Sequence, residues 1–296
     1  MSEKGAAARH PGLAEWLVTL PSLGWLLLLF LVPTLLIFAI ALKPPDPFGG
    51  IGAGWTLSSL GSLKNPNYPA VVFRTLWLSV VTTMASILLA TPAGYCIARA
   101  PRKIRQGLLL LVIVPFWTSF LIRIFAWKTL LHPEGSLKRA LSALGLSEPG
   151  TSLLYNQEAV LLVMIYTFLP FAILPIYAAA EKFDFRLIEA ARDLGALPFQ
   201  AFVSVFLPGI RRGLLTATLV IFIPALGSYV IPDLVGGPGG EMVGNKIAQR
   251  VFVDRNLPHA SALSSLLVLA VLLPMAAVLT LQARREKAGP IIEEDA

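Results

Sequence analysis

The sequence has 296 residues, of which 56% are hydrophobic and only 14% are charged, whereas a soluble domain carries roughly 25% charged residues. The apolar residues fall in long uninterrupted blocks, which excludes an ordinary soluble globule and predicts an integral membrane protein. The net charge of +7 comes from short clusters between these blocks. That distribution is typical of topology signals and argues against nucleic-acid binding.

Six stretches are apolar and long enough to cross a hydrocarbon core of roughly 30 Å as α-helices. In chain order they are about 16–42, 75–98, 106–127, 159–180, 213–232 and 260–283. Arg123 interrupts the third stretch near one end, where its long side chain can reach the membrane interface. The sequence therefore predicts an all-α membrane protein with six transmembrane helices in a single domain covering residues 1–296.

The lysine and arginine residues between these stretches predict the orientation. The first apolar block follows Lys4 and Arg9 but exceeds the roughly 7–15 apolar residues of a signal peptide, so it is expected to remain as the first helix. A cytoplasmic N-terminus gives the internal segments more lysine and arginine than the longer external ones, as the positive-inside rule requires. Both termini are therefore predicted to be cytoplasmic, with 181–212 as the longest cytoplasmic loop.

This longest loop has the pattern of two short helices joined by a sharp turn. Asp184 can cap a first helix that runs to Leu194, and Gly195 can take the left-handed conformation that ends it. Pro198 can begin a second helix, which Pro208 closes. The predicted apolar side of the hairpin consists of Phe185, Ile188, Phe199, Phe202 and Phe206. Such a segment lies on the membrane surface or is covered by other protein.

The spacing of residues in the loop closely resembles the EAA motif of ABC importer permeases. In that motif EAA is followed by three residues, Gly, nine residues, Ile, one residue and Leu-Pro, and here Val205 replaces the isoleucine. The matching residues are Glu189, Ala190, Ala191, Gly195, Val205, Leu207 and Pro208. The resemblance implies that these residues form a coupling helix that docks into a groove on a separate ATPase subunit.

A wider resemblance covers essentially the whole chain and points to the spermidine/putrescine permeases of polyamine ABC importers. The segments that carry it are Val114-Pro-Phe-Trp-Thr118 with Leu121-Ile-Arg123, Leu169-Pro-Phe171, and Tyr229 with Asp233-Leu-Val-Gly-Gly237 followed by Gly244-Asn245. It implies the type I ABC importer permease fold, a multi-pass protein of the bacterial inner membrane, and alternating access driven by ATP hydrolysis in a partner subunit.

The resemblance also implies a set of partners. They are two ATPase copies, a second related permease, an extracytoplasmic solute-binding protein and membrane lipid, with no nucleic acid. The chain itself is expected to be no enzyme and to hold no cofactor or metal. ATP and Mg²⁺ would be bound by the ATPase, since the sequence has no glycine-rich phosphate-binding loop followed by Lys and Ser or Thr.

A pathway for polyamines would require carboxylates and aromatic faces, because each cation–π contact with an ammonium group contributes roughly 0.5–2 kcal/mol. The candidates are Phe116, Trp117, Tyr166, Tyr229 and Asp233. Of these, Trp117, Tyr229 and Asp233 are predicted to face the pathway. The alternative for the aromatic residues is packing or anchoring at the membrane interface, where Trp and Tyr collect.

Other functions are less consistent with the residues. Related permeases for iron, thiamine or phosphonate share the fold and the loop, so the solute stays open. A gradient-driven secondary transporter would need ionisable residues deep in several spans, and only Arg123 lies within one. A membrane enzyme would need a cluster of nucleophile, base or metal ligands at one depth. Neither of the last two explains the EAA-like loop.

Overall fold

The computed structural model describes residues 13–145 and 152–287, and these residues form helices joined by turns. Within those ranges no β-strand occurs, and Pro45 and Ile51 make an isolated antiparallel bridge. The predicted all-α class is therefore confirmed.

The helices of the described residues are, in chain order, α1 (Leu13–Leu26), α2 (Val32–Ala41), α3 (Ser58–Gly61), α4 (Asn67–Arg99), α5 (Arg102–Ile113), α6 (Phe120–Leu131), α7 (Ser136–Ala143), α8 (Gln157–Glu181), α9 (Arg186–Asp193), α10 (Pro198–Ala201), α11 (Leu207–Gly209), α12 (Arg211–Leu226), α13 (Gly237–Gly240), α14 (Val243–Phe252) and α15 (Leu257–Lys287). Tighter 3₁₀ turns are formed by Ser62–Lys64 and Val114–Trp117. Wider π-helical turns are formed by Leu27–Leu31, Phe202–Phe206 and Pro232–Gly236.

The described residues divide into two compact units. The first unit contains the described residues up to Lys64 and those from Arg250 onward. In this unit α2 packs against α15. The side-chain oxygen of Asn256 accepts the backbone N–H of His259 at 3.1 Å, which caps the start of α15. The predicted first and sixth spans both belong to this unit.

The second unit contains residues 65–249, and α4, α8 and α12 pack pairwise at its centre. Glycines allow the close approach. A Cβ at Gly94 of α4 would lie 2.8 Å from Cγ2 of Ile176 in α8, and a Cβ at Gly213 of α12 would overlap Ala179 of α8. Small residues at contacts of this kind let helix backbones approach closely in membrane proteins.

Three helical stretches are each long and apolar enough to cross a membrane, namely Thr19–Ala41, Asn67–Arg99 and Gln157–Glu181. Two further pairs of helices are long and apolar enough only when the two members of a pair are counted as one segment. The first pair is Arg102–Trp117 with Phe120–Ala143, bent by 91°, and the second is Pro198–Gly209 with Arg211–Leu226, bent by 74°. Leu257–Leu273 is a shorter apolar helix. By length and composition the described residues thus hold three spans, or up to five if each bent pair is one span. Each of the six predicted intervals overlaps one of these stretches.

Two of the predicted intervals are not continuous helices. Within 106–127 the chain leaves the helix at Thr118, which is extended (ψ 147°). Both the backbone N–H and the hydroxyl of Thr118 bond the carbonyl of Pro115, at 3.3 and 2.8 Å. Within 213–232 the helix α12 ends at Leu226, and Gly227 follows it. Proline and glycine end these helices because local backbone geometry outweighs an uninterrupted apolar run.

The close approach of α8 and α12 can be tested with one glycine. In Gly213→Ala the added methyl group overlaps Ala179 and lies 3.0 Å from the carbonyl oxygen of Pro175, so we expect a loss of about 1–3 kcal/mol of stability. Gly107→Ala in α5 is the matched control, because a Cβ there meets no atom within 4 Å and alanine favours the helix.

Thermal unfolding of the purified protein in detergent measures both variants. We expect a lower melting temperature for Gly213→Ala and an unchanged or higher one for Gly107→Ala. Equal shifts in the two variants would contradict the tight contact between α8 and α12.

Candidate functional site

The segment 181–212, called the hairpin below, forms two short helices joined by a sharp turn, as predicted. The carboxylate of Asp184 accepts the backbone N–H and the side-chain Nε–H of Arg186, both at 3.1 Å. The side-chain bond lowers the pKa of the Asp184 carboxyl below its usual value. The Asp184 carboxylate is therefore ionised at neutral pH, and its bonds to the first residue of α9 weaken only as the pH falls through this lowered pKa.

The turn between the two arms depends on Gly195, whose φ is +94°, a conformation that other residues adopt only with strain. The N–H of Gly195 donates to the carbonyl of Arg192 at 2.9 Å, and that of Ala196 donates to the carbonyl of Ala191 at 3.0 Å. These bonds satisfy the last carbonyls of α9. The predicted left-handed glycine is confirmed.

The second arm differs from the prediction at its end. It begins at Pro198 as expected, but it runs through Pro208 to Gly209 instead of closing at Pro208. The π-helical turn before it explains the difference: the N–H of Leu207 donates to the carbonyl of Phe202, five residues back. This wider turn changes the hydrogen-bond register, so the missing N–H of Pro208 does not break the helix.

Of the five residues predicted to form the apolar side of the hairpin, four pack against the rest of the chain and one is exposed. Phe185, Ile188, Phe202 and Phe206 pack within the second unit, where Tyr95 of α4 contacts all three phenylalanine rings. Phe199 does not follow them, because its side chain is 78% exposed. The chain thus covers most of this side itself, and no local sequence pattern marks Tyr95 as the covering residue.

The outward surface of the hairpin is nevertheless apolar around its turn. Leu187, Leu194, Leu197 and Phe199 are exposed, Leu194 to 90%. Large exposed apolar side chains on one short hairpin favour an interaction surface over a solvent-facing one. We call these four residues the apolar tip.

The seven residues of the EAA-like motif lie on the same hairpin as this tip. Glu189, Ala190, Gly195 and Pro208 are exposed, whereas Ala191, Val205 and Leu207 are half-buried. A groove of about 300 Å³ runs between the two arms, and Ala191, Gly195 and Val205 are among the residues that line it. The structure therefore brings small motif residues from both arms to one groove, with the Glu189 carboxylate on the same hairpin.

The five residues predicted for a solute pathway fall into two groups. The ring of Phe116 packs edge-on against Phe171 at 4.8 Å, with the Arg123 guanidinium 5.5 Å from its centre. Tyr166 packs against Trp127 at 5.3 Å. These two candidates are held inside the second unit by their neighbours.

The other three candidates are exposed. Trp117 is exposed to 76% and Tyr229 to 45%, and Asp233 is also exposed. The backbone N–H of Asp233 donates to the carbonyl of Tyr229 at 3.0 Å, so these two residues lie one helical turn apart. The π-helical turn that contains Asp233 lies against α6 and α8.

Asn245 holds this turn in place. Its buried side chain accepts the N–H of Met242 at 3.0 Å and donates to the carbonyl of Tyr229 at 2.9 Å. Thr75 of α4 adds a second link by accepting the N–H of Val243 at 2.9 Å. Gly244 packs so closely that a Cβ would lie 2.6 Å from the carbonyl oxygen of Ser228. The Gly244-Asn245 pair in the sequence therefore has a structural reason, which its motif resemblance alone did not explain.

Comparison with known proteins identifies the kind of molecule that carries this hairpin. Residues 86–287 match the family described as "Binding-protein-dependent transport system inner membrane component". The chain belongs to this family. It is accordingly a multi-pass membrane protein, and the predicted resemblance to importer permeases is confirmed.

Several curated relatives are similar over most of their length. The chain is 38% identical over 251 residues to the spermidine/putrescine transport system permease protein PotB of Haemophilus influenzae, covering 84% of this chain and 88% of the relative. It is 34% identical over 248 residues to PotB of Escherichia coli, covering 84% and 90%. It is 31% identical over 283 residues to the inner membrane ABC transporter permease protein YdcU of Escherichia coli, covering 91% and 90%. The chain is thus a permease subunit of an ABC transporter and not itself an enzyme.

Two solved structures share the fold. A bacterial ABC transporter that imports the acidic polysaccharide alginate matches with a TM-score of 0.68 and 19% identity, covering 92% of this chain and 96% of the matched chain. The alginate transporter in complex with a pentasaccharide-bound periplasmic protein matches with a TM-score of 0.69 and 19% identity, covering 88% and 91%. At this identity the likeness shows the permease fold alone.

The role of Asn245 can be tested by Asn245→Ala. This change leaves the N–H of Met242 without its partner, at about 1–3 kcal/mol for a buried group, and removes one of the two N–H groups that donate to the carbonyl of Tyr229. We expect a clearly lower melting temperature in detergent. Asn67→Ala, at an exposed position, is the control and should leave it unchanged. Equal melting temperatures for the two variants would show that Asn245 does not hold this turn.

Proposed function

We propose that this permease translocates a polyamine such as spermidine or putrescine, by alternating access driven by a partner ATPase. The observation that carries the proposal is the 38% identity to a spermidine/putrescine permease over 84% of this chain. The exposed carboxylate of Asp233, one turn from the exposed ring of Tyr229, supports it, because a di- or polyammonium solute is stabilised by carboxylates and aromatic faces.

The proposed topology has six transmembrane helices, close to 16–42, 75–98, 106–127, 159–180, 213–232 and 260–283, in one permease domain of the bacterial inner membrane. The clusters of lysine and arginine support cytoplasmic termini and a cytoplasmic hairpin. In this arrangement Asp233 lies where the fifth span meets the external side, and Trp117 lies near the middle of the third span.

The hairpin is proposed to dock on the ATPase through the apolar tip and the seven motif residues. Burying the exposed leucines and Phe199 would supply the contact energy at about 25 cal/mol for each Å² of apolar surface removed from water. Glu189 would supply a charge to the docking partner. ATP and Mg²⁺ would be held by that subunit, and this chain would hold no cofactor or metal.

The proposed assembly contains this chain, a second related permease, two ATPase copies and an extracytoplasmic solute-binding protein, all embedded in or attached to the lipid membrane. The alginate transporter solved with its periplasmic protein supports a binding protein on the external side. The pathway would run between the two permeases. Trp117, Tyr229 and Asp233 would face it because they are exposed, whereas Phe116 and Tyr166 would support it from inside the chain.

The direct test is to purify the chain from its native membrane in mild detergent and to measure ATP hydrolysis with added solutes. We expect an ATPase and a second permease to co-purify, and hydrolysis to rise with spermidine or putrescine supplied through the binding protein. Stimulation by iron, thiamine or phosphonate instead would overturn the polyamine proposal. Absence of any ATPase would overturn the proposed assembly.

The docking role is tested in the same preparation by Glu189→Lys and Gly195→Pro. Charge reversal removes the proposed contact, and proline cannot adopt the φ of +94° at Gly195. We expect both variants to insert in the membrane but to lose solute-stimulated hydrolysis. Glu134→Lys, an exposed charge reversal outside the hairpin, is the control. Normal coupling in both hairpin variants would refute docking.

The role of Asp233 is tested by Asp233→Asn. Because a hydrogen bond to a charged group contributes about 1.5–3 kcal/mol, we expect the apparent affinity for polyamine in reconstituted vesicles to fall roughly tenfold or more. Glu158→Gln removes an exposed carboxylate at the start of α8 and should leave uptake unchanged. Unchanged polyamine uptake by Asp233→Asn would show that this carboxylate does not contribute to the pathway.

A further inference from the structure

The hairpin contacts helix α4 through a cluster of five aromatic rings, called the aromatic clamp below. Its members are Tyr95, Phe183, Phe185, Phe202 and Phe206. Tyr95 belongs to α4, and the four phenylalanines belong to the hairpin. The clamp therefore joins two parts of the chain that are far apart in sequence.

Tyr95 touches both arms of the hairpin. Its ring meets Phe185 edge-on with the ring centres 5.7 Å apart, Phe202 at 5.4 Å and Phe206 at 4.9 Å. Phe185 precedes α9 in the first arm, and the other two lie in the π-helical turn of the second arm. Edge-on contacts between rings are directional, so one side chain of α4 sets the orientation of both arms.

The polar end of Tyr95 is also held. Arg99, one turn further along α4, donates from Nη1 to the Tyr95 hydroxyl at 2.7 Å. The same guanidinium lies 5.5 Å from the centre of the Tyr95 ring and 5.7 Å from that of Phe185, within the range of a cation–π contact. The Tyr95 side chain is thus restrained at its face, its edge and its hydroxyl.

The clamp reaches the base of α12 as well. Phe183 contacts Phe185 at 5.5 Å and Phe206 at 5.3 Å. A Cβ added to Gly209 would overlap the Phe183 ring, so the chain passes directly over this ring just before α12 begins. Phe206 is fully buried at the centre of the cluster.

The three central helices are linked to the hairpin in different ways. The backbone of the hairpin continues directly into α8 at one end and into α12 at the other, so a displacement of the hairpin acts on these two helices covalently. Helix α4 has no such covalent link, and among the described residues its Tyr95 and Arg99 side chains contact rings of the hairpin. Tyr95 makes the ring contacts that could carry a displacement from the hairpin to α4.

We infer that Tyr95 is a positioning residue through which movement of the hairpin on the ATPase is transmitted to α4, so that α4 moves together with α8 and α12. The inference rests on the proposed docking of the hairpin and adds which helix receives the movement and through which side chain. Packed aromatic clusters suit this role because close-packed interiors transmit displacement with little compression.

The test compares three variants in the complete transporter reconstituted in vesicles. Tyr95→Leu removes the ring and its edge contacts, whereas Tyr95→Phe keeps the ring and loses only the bond to Arg99. Tyr68→Leu is the matched control, since Tyr68 is a buried tyrosine near the other end of the same helix. Each preparation is measured for the amount of bound ATPase and for the number of solute molecules transported per ATP hydrolysed.

We expect Tyr95→Leu to retain its ATPase but to transport fewer solute molecules per ATP, by a factor on the order of ten, within the range typical of coupling between sites. Tyr95→Phe should restore most of this ratio, and Tyr68→Leu should keep it. An unchanged ratio in Tyr95→Leu, an equal loss in Tyr68→Leu, or loss of the ATPase from the Tyr95→Leu complex would each overturn the inference. Absence of an ATPase from the unmodified complex would instead be a failure of the proposed function.

Measuring the distance between α4 and the hairpin distinguishes a loss of transmitted movement from a simple loss of packing. The single cysteine of the sequence, Cys96, is exposed beside Tyr95, and Val203 is exposed in the second arm, outside the apolar tip and the seven motif residues. Spin labels at Cys96 and at Val203→Cys report the distance between α4 and the hairpin. We expect one narrow distance with and without ATP when Tyr95 is present, and a second distance with ATP in Tyr95→Leu. One unchanged distance in both backgrounds would overturn the inference.

Discussion

The contact between α4, α8 and α12 is the constraint on which the second unit of this permease depends. Gly94 and Gly213 remove the side chains that would otherwise separate these helices from α8. In a bilayer, lipid tails are as apolar as leucine, so helices associate through close packing and internal hydrogen bonds instead of through hydrophobic exclusion from water. Small buried residues on α4, such as Ser79 and Ser86, are consistent with close packing of this kind.

Two functional segments are attached to this three-helix frame, one by apolar and one by polar contacts. The hairpin is held by rings, whose contacts contribute about 0.5–1.5 kcal/mol for each pair beyond burial. The segments on either side of the turn with Asp233 are held by hydrogen bonds to backbone groups, from Asn245 to Tyr229 and from Val243 to Thr75. Because these hydrogen bonds are made to backbone groups of the loop, they hold its irregular shape without requiring particular side chains in the loop itself. This leaves Tyr229 and Asp233 available to the surface.

Much of this architecture was predictable from the sequence because the signals are local. Long apolar runs located the membrane-spanning helices, and Asp184, Gly195 and Pro198 marked the ends of the hairpin arms by their capping and turn chemistry. The break at Thr118 was missed because hydropathy does not record backbone geometry. Tyr95 and Asn245 were not recognised as structural residues because their partners are distant in sequence. The continuation of the second arm past Pro208 depends on a π-helical turn, which has no simple sequence pattern.

The interruption between α5 and α6 limits what can surround this part of the chain in the bilayer. Ser119 precedes α6 without a side-chain bond to its first N–H groups, and residues 117–120 are exposed in this chain. Hydrocarbon tails offer no acceptors for such groups, and irregular backbone at membrane depth occurs only beside protein or water. In the proposed six-span topology, which puts this turn inside the third span, its neighbours would therefore be water or protein and not lipid, whatever solute is carried.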